Sequence, residues 1–202
     1  MTTEIPKRIA SDIDDVLLNL KDPLRDYYNR RFGANLQLSH YNNYALDKVW
    51  GCTRQEAVQI VDDFYLSPEF KTMQPVQGAM EATSLISLRH EISAITSRPI
   101  SMQEQTTGSL MQYFGNIFSE IFHNGQYGLQ TSGLDKSGYC LSRGISTILE
   151  DNLDISIKCA EKGIQVILFN YLWNRTSHLP RGIIRVGEKE NHWQGATEIL
   201  LQ

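Results

Sequence analysis

Apolar and polar positions follow two different rhythms along this chain. Residues 8–13, "RIASDI", form a short and mostly apolar run that predicts a strand, and it leads straight into the acidic turn "DIDD". From Leu17 to about Gln77 the spacing becomes helical, as in "DPLRDYYNRRFG" and "TRQEAVQIVDDFYL". Asp22 followed by Pro23 predicts one helix start, and Thr53 with Glu56 predicts a capping box at another. Beyond Gln77 helices and strands alternate. "QGAMEATSLISLRH" predicts a helix, "EISAITS" a buried strand, "SMQEQTTGSLMQYFG" a helix and "IFSEIFHN" a strand. "STILE" predicts a short strand ending in acids, "DISIKCAEKG" a helix closed by Gly163, and "IQVILF" a strand. "IIRV" adds an edge strand and "HWQGATEILLQ" a final helix.

Such alternation implies an α/β fold with a parallel sheet covered on both faces. The helical stretch between the first two strands becomes an insert above that sheet. In sheets of this kind the site lies at the carboxyl ends of the strands. Those ends carry Asp12, Asp14 and Asp15 on the first strand and Thr96, Ser97 and Arg98 on the second. Lys136 lies in the polar stretch "TSGLDKSG", and Glu150 and Asp151 end a later strand.

Carboxylates from two strands can share a hard cation such as Mg²⁺, which prefers oxygen ligands. A carboxylate can attack phosphorus to form an acyl phosphate. Thr96 or Ser97 could donate to phosphate oxygens, and Lys136 could balance charge at the nucleophile. Each piece alone has a plainer reading. A D-x-D fits a solvated turn, Thr-Ser after a strand fits a turn or cap, a lone lysine is commonly solvated, and "EDN" before a helix fits an N-cap. The order of all four, each at a strand end, is what points to a phosphoryl-transfer site.

Composition narrows the partners. The chain has 202 residues, enough for one sizeable domain, and a net charge of -4, so there is no broad basic surface for a nucleic acid polymer. No stretch approaches the length of a membrane helix, and "MTTEIPKRIA" has no apolar core for a signal peptide. Cys52, Cys140 and Cys159 lack paired zinc spacing and read as reduced, buried thiols, so a cytoplasmic setting is the simplest. The five histidines form no cluster suited to a ligand.

These motifs resemble those of the haloacid-dehalogenase (HAD) superfamily of hydrolases. "DIDDV" resembles its first motif, "ITS" its second, Lys136 its third and "ILEDN" its fourth. Within that superfamily the chain is most similar to the 5'(3')-deoxyribonucleotidases, through "FYLSPEFKTMQPVQGAMEA", "AITSRP", "VILFNYLWNR", "LPRGIIRV" and "HWQGATEIL". The resemblance implies a HAD-like Rossmannoid core at 1–16 and 78–202, with a small helical type-1 cap at 17–77. It implies Asp12 as nucleophile and Asp14 as general acid and then base. Mg²⁺ would be bound by Asp12, the Asp14 carbonyl and Asp151, with Glu150 binding or orienting it. Thr96 and Ser97 would hold the phosphate, and Lys136 would steady Asp12.

The chain departs from the pattern in three places. Asp15 replaces the usual glycine and is expected to point outward. Arg98 either touches phosphate or pairs with a cap carboxylate. Leu20 replaces an aromatic that contacts the base in the animal enzymes. Aromatic residues crowd the 17–77 stretch, where most form the cap's own core, with Tyr44, Trp50 and Phe70 the best candidates for a base contact. The expected activity is Mg²⁺-dependent hydrolysis of a nucleoside monophosphate through an aspartyl phosphate, and the resemblance allows a homodimer. The alternatives are a phosphatase of sugar phosphates or other small esters, and a non-catalytic binder of a phosphorylated ligand.

Overall fold

In the computed structural model, which describes residues 6–125, 127, 133–187 and 191–202, six parallel strands form one sheet. They are β1 (Arg8–Asp12), β2 (Glu91–Thr96), β3 (Phe118–His123), β4 (Thr147–Glu150), β5 (Gln165–Phe169) and β6 (Ile183–Val186). The spatial order is β3-β2-β1-β4-β5-β6, so β1 and its acidic end sit at the centre. β1 pairs with β2 so that Asp12 lies beside Ile95, and with β4 so that Ser11 lies beside Leu149. That register brings the ends Asp12, Thr96 and Glu150 to one edge.

Successive strand residues point to opposite faces, and both faces are buried. Ile9, Leu149 and Ile167 pack on one face with helices α4 (Ala79–Ser87), α5 (Gln103–Phe114) and α8 (His192–Leu200). Ala10, Ile148, Val166 and Leu168 pack on the other with α6 (Lys136–Ser142) and α7 (Leu153–Glu161). The fully buried Trp193 anchors α8 and donates from Nε1 to the Val16 carbonyl at 2.8 Å, which ties the last helix to the chain leaving the acidic turn. Cys140 and Cys159 are buried free thiols and Cys52 is half-buried.

Between β1 and α4 stand α1 (Lys21–Phe32), α2 (Leu46–Trp50) and α3 (Arg54–Tyr65). The two strands of chain joining this insertion to the sheet run side by side. Val76 N donates to Leu17 O at 2.9 Å and Asn19 N donates to Gln74 O at 2.8 Å. The capping box expected at α3 forms. Glu56 N donates to Thr53 Oγ1 at 3.2 Å, and Thr53 N donates to Glu56 Oε2 at 2.8 Å. The start of α1 differs from expectation, because the helix begins at Lys21 and Asp22 lies inside its first turn. Asp15 supplies the cap instead, its Oδ1 accepting from Leu20 N at 2.9 Å and Lys21 N at 3.0 Å. Among the described residues no helix is long and apolar enough to cross a membrane.

Candidate active site

Asp12 ends the central strand and turns its carboxylate onto Lys136. Nζ of Lys136 lies 2.7 Å from Asp12 Oδ1 and 2.9 Å from Glu150 Oε2, and all three side chains are buried. The lysine is placed by its helix. Asp135 caps α6 by accepting from Gly138 N at 2.7 Å, which sets Lys136 at the first helical position. Burial works against the ammonium, yet Asp12 and Glu150 more than offset it and hold the Lys136 pKa above the usual lysine value. Burial pushes Glu150 up to about 8, with repulsion from Asp12 adding and Lys136 subtracting.

Asp151 completes an acidic cluster. One carboxylate oxygen each from Asp12, Glu150 and Asp151 lies within 4.8 Å of the others, and all three residues are buried. Trp173 Nε1 donates to Asp151 Oδ2 at 2.8 Å, and Asn174 Nδ2 donates to the Asp151 carbonyl at 2.7 Å. Burial, then Glu150 and Asp12, raise the Asp151 pKa well above the ordinary carboxylate range. Three acids crowd together here, and the repulsion among their charged forms shows in the raised pKa values of Glu150 and Asp151. An all-oxygen donor set of this kind fits a hard divalent cation such as Mg²⁺.

Asp14 leans toward the second strand. Arg98 donates to it from Nη2 at 2.5 Å and from Nε at 3.1 Å, and the guanidinium is fully buried. Thr106 Oγ1 accepts from Arg98 Nη1 at 3.1 Å, and the Phe70 ring lies 5.1 Å beneath it. Arg98 was expected to touch phosphate or pair with a carboxylate of the insertion. It pairs instead with Asp14 of the acidic turn. Thr96 is fully buried and its Oγ1 accepts from Arg98 N at 3.0 Å, which leaves the half-buried Ser97 facing the cavity.

The outward orientation expected of Asp15 is corrected. Its carboxylate is buried and lies 3.1 Å from Lys21 Nζ. The turn brings the chain back on itself, so Asp15 meets the buried ammonium six residues ahead. Asp15 has φ 61°, the left-handed conformation that glycine adopts freely and aspartate tolerates better than most residues. Tyr171 Oη fixes the turn from the far side by donating to the Asp15 carbonyl at 2.8 Å.

A cavity of about 40 Å³ lies over this turn, lined by Asp12, Asp14, Asp151, Ser97 and Arg98 at its polar end and by residues of the insertion at the other. Tyr44 is part of that wall, as the sequence suggested, and so is Leu20. Trp50 and Phe70 are not. Trp50 stacks on Tyr28 at 4.7 Å and donates to Tyr41 Oη at 3.4 Å, and Phe70 packs edge-on against Phe64 at 5.5 Å. Both serve the insertion's core, because a small helical layer has few other large side chains to bury. Lys21, Tyr65, Tyr127 and Trp173 escaped the sequence reading. Tyr65 in "FYLSPEF" and Trp173 in "YLWN" lie in segments that resemble family segments, whereas Lys21 and Tyr127 carried no such signal. Tyr65 and Tyr127 are held protonated, burial pushing Tyr127 up to about 12.

The family described as "5' nucleotidase, deoxy (Pyrimidine), cytosolic type C protein" matches residues 7–123, which include Asp12, Asp14, Thr96, Ser97 and Arg98. No curated protein matches the chain. A structure described as a predicted phosphatase from Clostridium acetobutylicum has a TM-score of 0.71 and 14% identity, over 98% of this chain and 99% of that one. A HAD-hydrolase, YfnB from Bacillus subtilis, bound to magnesium, has a TM-score of 0.65 and 14% identity, over 98% and 99%. A haloacid dehalogenase-like family hydrolase from Streptococcus pneumoniae has a TM-score of 0.63 and 16% identity, over 84% and 86%. At these identities the likeness to solved structures is one of fold.

Proposed function

Since the chain belongs to the 5' nucleotidase, deoxy (pyrimidine), cytosolic type C family and is a phosphomonoester hydrolase, we propose that its substrates are nucleoside monophosphates, deoxyribonucleotides first among them. The observation that carries this reading is the Asp12 carboxylate, held between Lys136 and two further buried acids at the end of the central strand. The family's description also favours a cytosolic location.

In this reading Asp12 attacks phosphorus while the bond from phosphorus to the ester oxygen breaks. The departing oxygen takes a proton from Asp14, and Asp12 is left as an aspartyl phosphate. Asp14 then accepts a proton from water as that water attacks phosphorus, which frees inorganic phosphate and restores the Asp12 carboxylate. Arg98 donates to the Asp14 side chain from two nitrogens and positions it for both proton transfers. Lys136 neutralises Asp12 and the phosphoryl oxygens, while Ser97, the hydroxyl facing the cavity, donates to those oxygens. Asp12, Glu150 and Asp151, with the Asp14 carbonyl, would hold Mg²⁺, which when bound screens the charge of an incoming phosphate.

The enclosed volume favours a second reading. Pockets for drug-sized ligands usually measure roughly 300–1,000 Å³, well above the 40 Å³ here. A nucleotide therefore requires the insertion to move off the sheet, whereas a small phosphate ester needs less opening. Phosphate release from a panel of nucleoside monophosphates, sugar phosphates and small esters separates the two. Activity confined to the latter classes would overturn the nucleotidase reading. Asp12→Asn is expected to abolish turnover on every substrate.

A further inference from the structure

Among the described residues, each cation that lines the cavity over the acidic turn already faces a carboxylate. Lys21 and Arg98 are the cations that line it among the described residues. Both are buried and both already face a carboxylate, Lys21 with Asp15 at 3.1 Å and Arg98 with Asp14 at 2.5 Å. Lys136, beneath them, is shared between Asp12 and Glu150. Apart from Ser97 and the acids at its polar end, the wall is apolar or phenolic, with Leu20, Leu24, Leu46 and Val61 beside Tyr44, Tyr65 and Tyr127. A phosphoryl group at the Asp12 end leaves its ester partner facing this wall and the Asp15 carboxylate.

Asp15 has no part in the proposed chemistry, yet it stands at φ 61°, where glycine would be free of strain. With glycine there, Lys21 would lose the carboxylate it pairs with and present its ammonium to the cavity. It would also stay in place. Its ammonium lies 4.7 Å from the Trp173 ring and 5.5 Å from the Tyr44 ring, both within cation–π range.

We infer that Asp15 is a specificity-determining residue: by neutralising Lys21 it restricts the enzyme to phosphomonoesters whose leaving group is uncharged. A substrate bearing a second anion, such as a carboxylate or a second phosphate, would bury that charge beside Asp15 with no unpaired cation among the described lining residues to meet it. Burying an unpaired charge is among the most unfavourable events in a protein site. A nucleoside monophosphate and a neutral polyol phosphate pass this test, whereas a phosphorylated hydroxy acid and a nucleoside bisphosphate do not. The inference rests on the phosphatase reading and narrows it, without requiring that the leaving group be a nucleoside.

The test compares kcat/KM for thymidine 5'-monophosphate, glycerol phosphate, phosphoglycolate and thymidine 3',5'-bisphosphate. Wild type, Asp15→Asn, Asp15→Gly and the double variant Asp15→Asn with Lys21→Met are measured side by side. Asparagine keeps an oxygen to cap α1, and glycine suits the left-handed turn, so a folded variant is available from one or the other. Wild type is expected to prefer the esters with neutral leaving groups. Neutralising Asp15 is expected to shift the ratio toward phosphoglycolate by about tenfold, the worth of one hydrogen bond to a charged group, through KM rather than kcat. Adding Lys21→Met is expected to abolish the shift. A purely structural Asp15 would instead change all four substrates by one factor, and that result overturns the inference, as does a wild type that favours phosphoglycolate. If glycerol phosphate is turned over and thymidine monophosphate is not, with the shift intact, the nucleotidase reading fails and this inference stands.

Discussion

Arg98 grips Asp14 through two nitrogens, with Nη2 at 2.5 Å and Nε at 3.1 Å from the carboxylate oxygens, while its own side chain is wholly buried. The pair joins the first strand's acidic turn to the end of the second. A lysine cannot reproduce this fork. Arg98→Lys is therefore expected to lower kcat with little effect on KM, measured by steady-state kinetics. Asp14→Asn, which removes the proton carrier itself, is expected to cost about 10²–10⁴-fold in kcat. An Arg98→Lys variant with the kcat of wild type would remove Arg98 from the reaction.

Lys136 is the only cation within ion-pair distance of Asp12 and Glu150 among the described residues. Lys136→Met removes the cation shared by the buried Asp12 and Glu150. Breaking a buried pair in this way typically costs about 3–5 kcal/mol. Urea denaturation of the metal-free protein should show a loss of that order, alongside lost activity. Unchanged stability would mean that the carboxylates are neutralised by something other than this lysine.

The acidic cluster gives stability a pH dependence of definite sign. Glu150 titrates at about 8 in the folded protein against an ordinary value of 4.5, so between those values the folded state holds a proton that the unfolded state has released. Stability of the metal-free protein therefore falls as pH rises through that window. The raised pKa of Asp151 acts in the same direction. Protons and a divalent cation compete for these oxygens, so the rise in melting temperature on adding Mg²⁺ should be larger at pH 8 than at pH 6. Thermal melts with Mg²⁺ or EDTA at both values check this, and equal shifts would contradict it.

Tyr44 and Trp50 should separate cleanly. Trp50 is buried in the insertion's core, so Trp50→Ala is expected to destabilise the protein by about 3–5 kcal/mol. Tyr44 lines the cavity, so Tyr44→Phe is expected to alter KM with a much smaller loss of stability. Calorimetry and steady-state kinetics on the two variants distinguish the roles.

Much of this protein follows from local rules. Residues 8–12 are a strand because a short apolar run leads into a turn, and Thr53 with Glu56 starts a helix because two side chains can satisfy two backbone N–H groups three residues apart. The alternation of elements required a parallel sheet, and a parallel sheet gathers its strand ends at one edge. Asp12, Thr96 and Glu150 could therefore be named together from the sequence alone. The pairing of charges was not legible in the same way. Whether Arg98 faced phosphate, the insertion or Asp14 depended on Thr106 and Phe70 packing around it. Whether Asp15 was solvated or buried depended on Lys21 folding back beneath the Trp173 ring. Trp50 and Phe70 had the chemistry of base contacts but were drawn into the insertion's core. Periodicity and capping are written within a few residues, whereas ion-pair choice and burial are decided by which distant surfaces exclude water together.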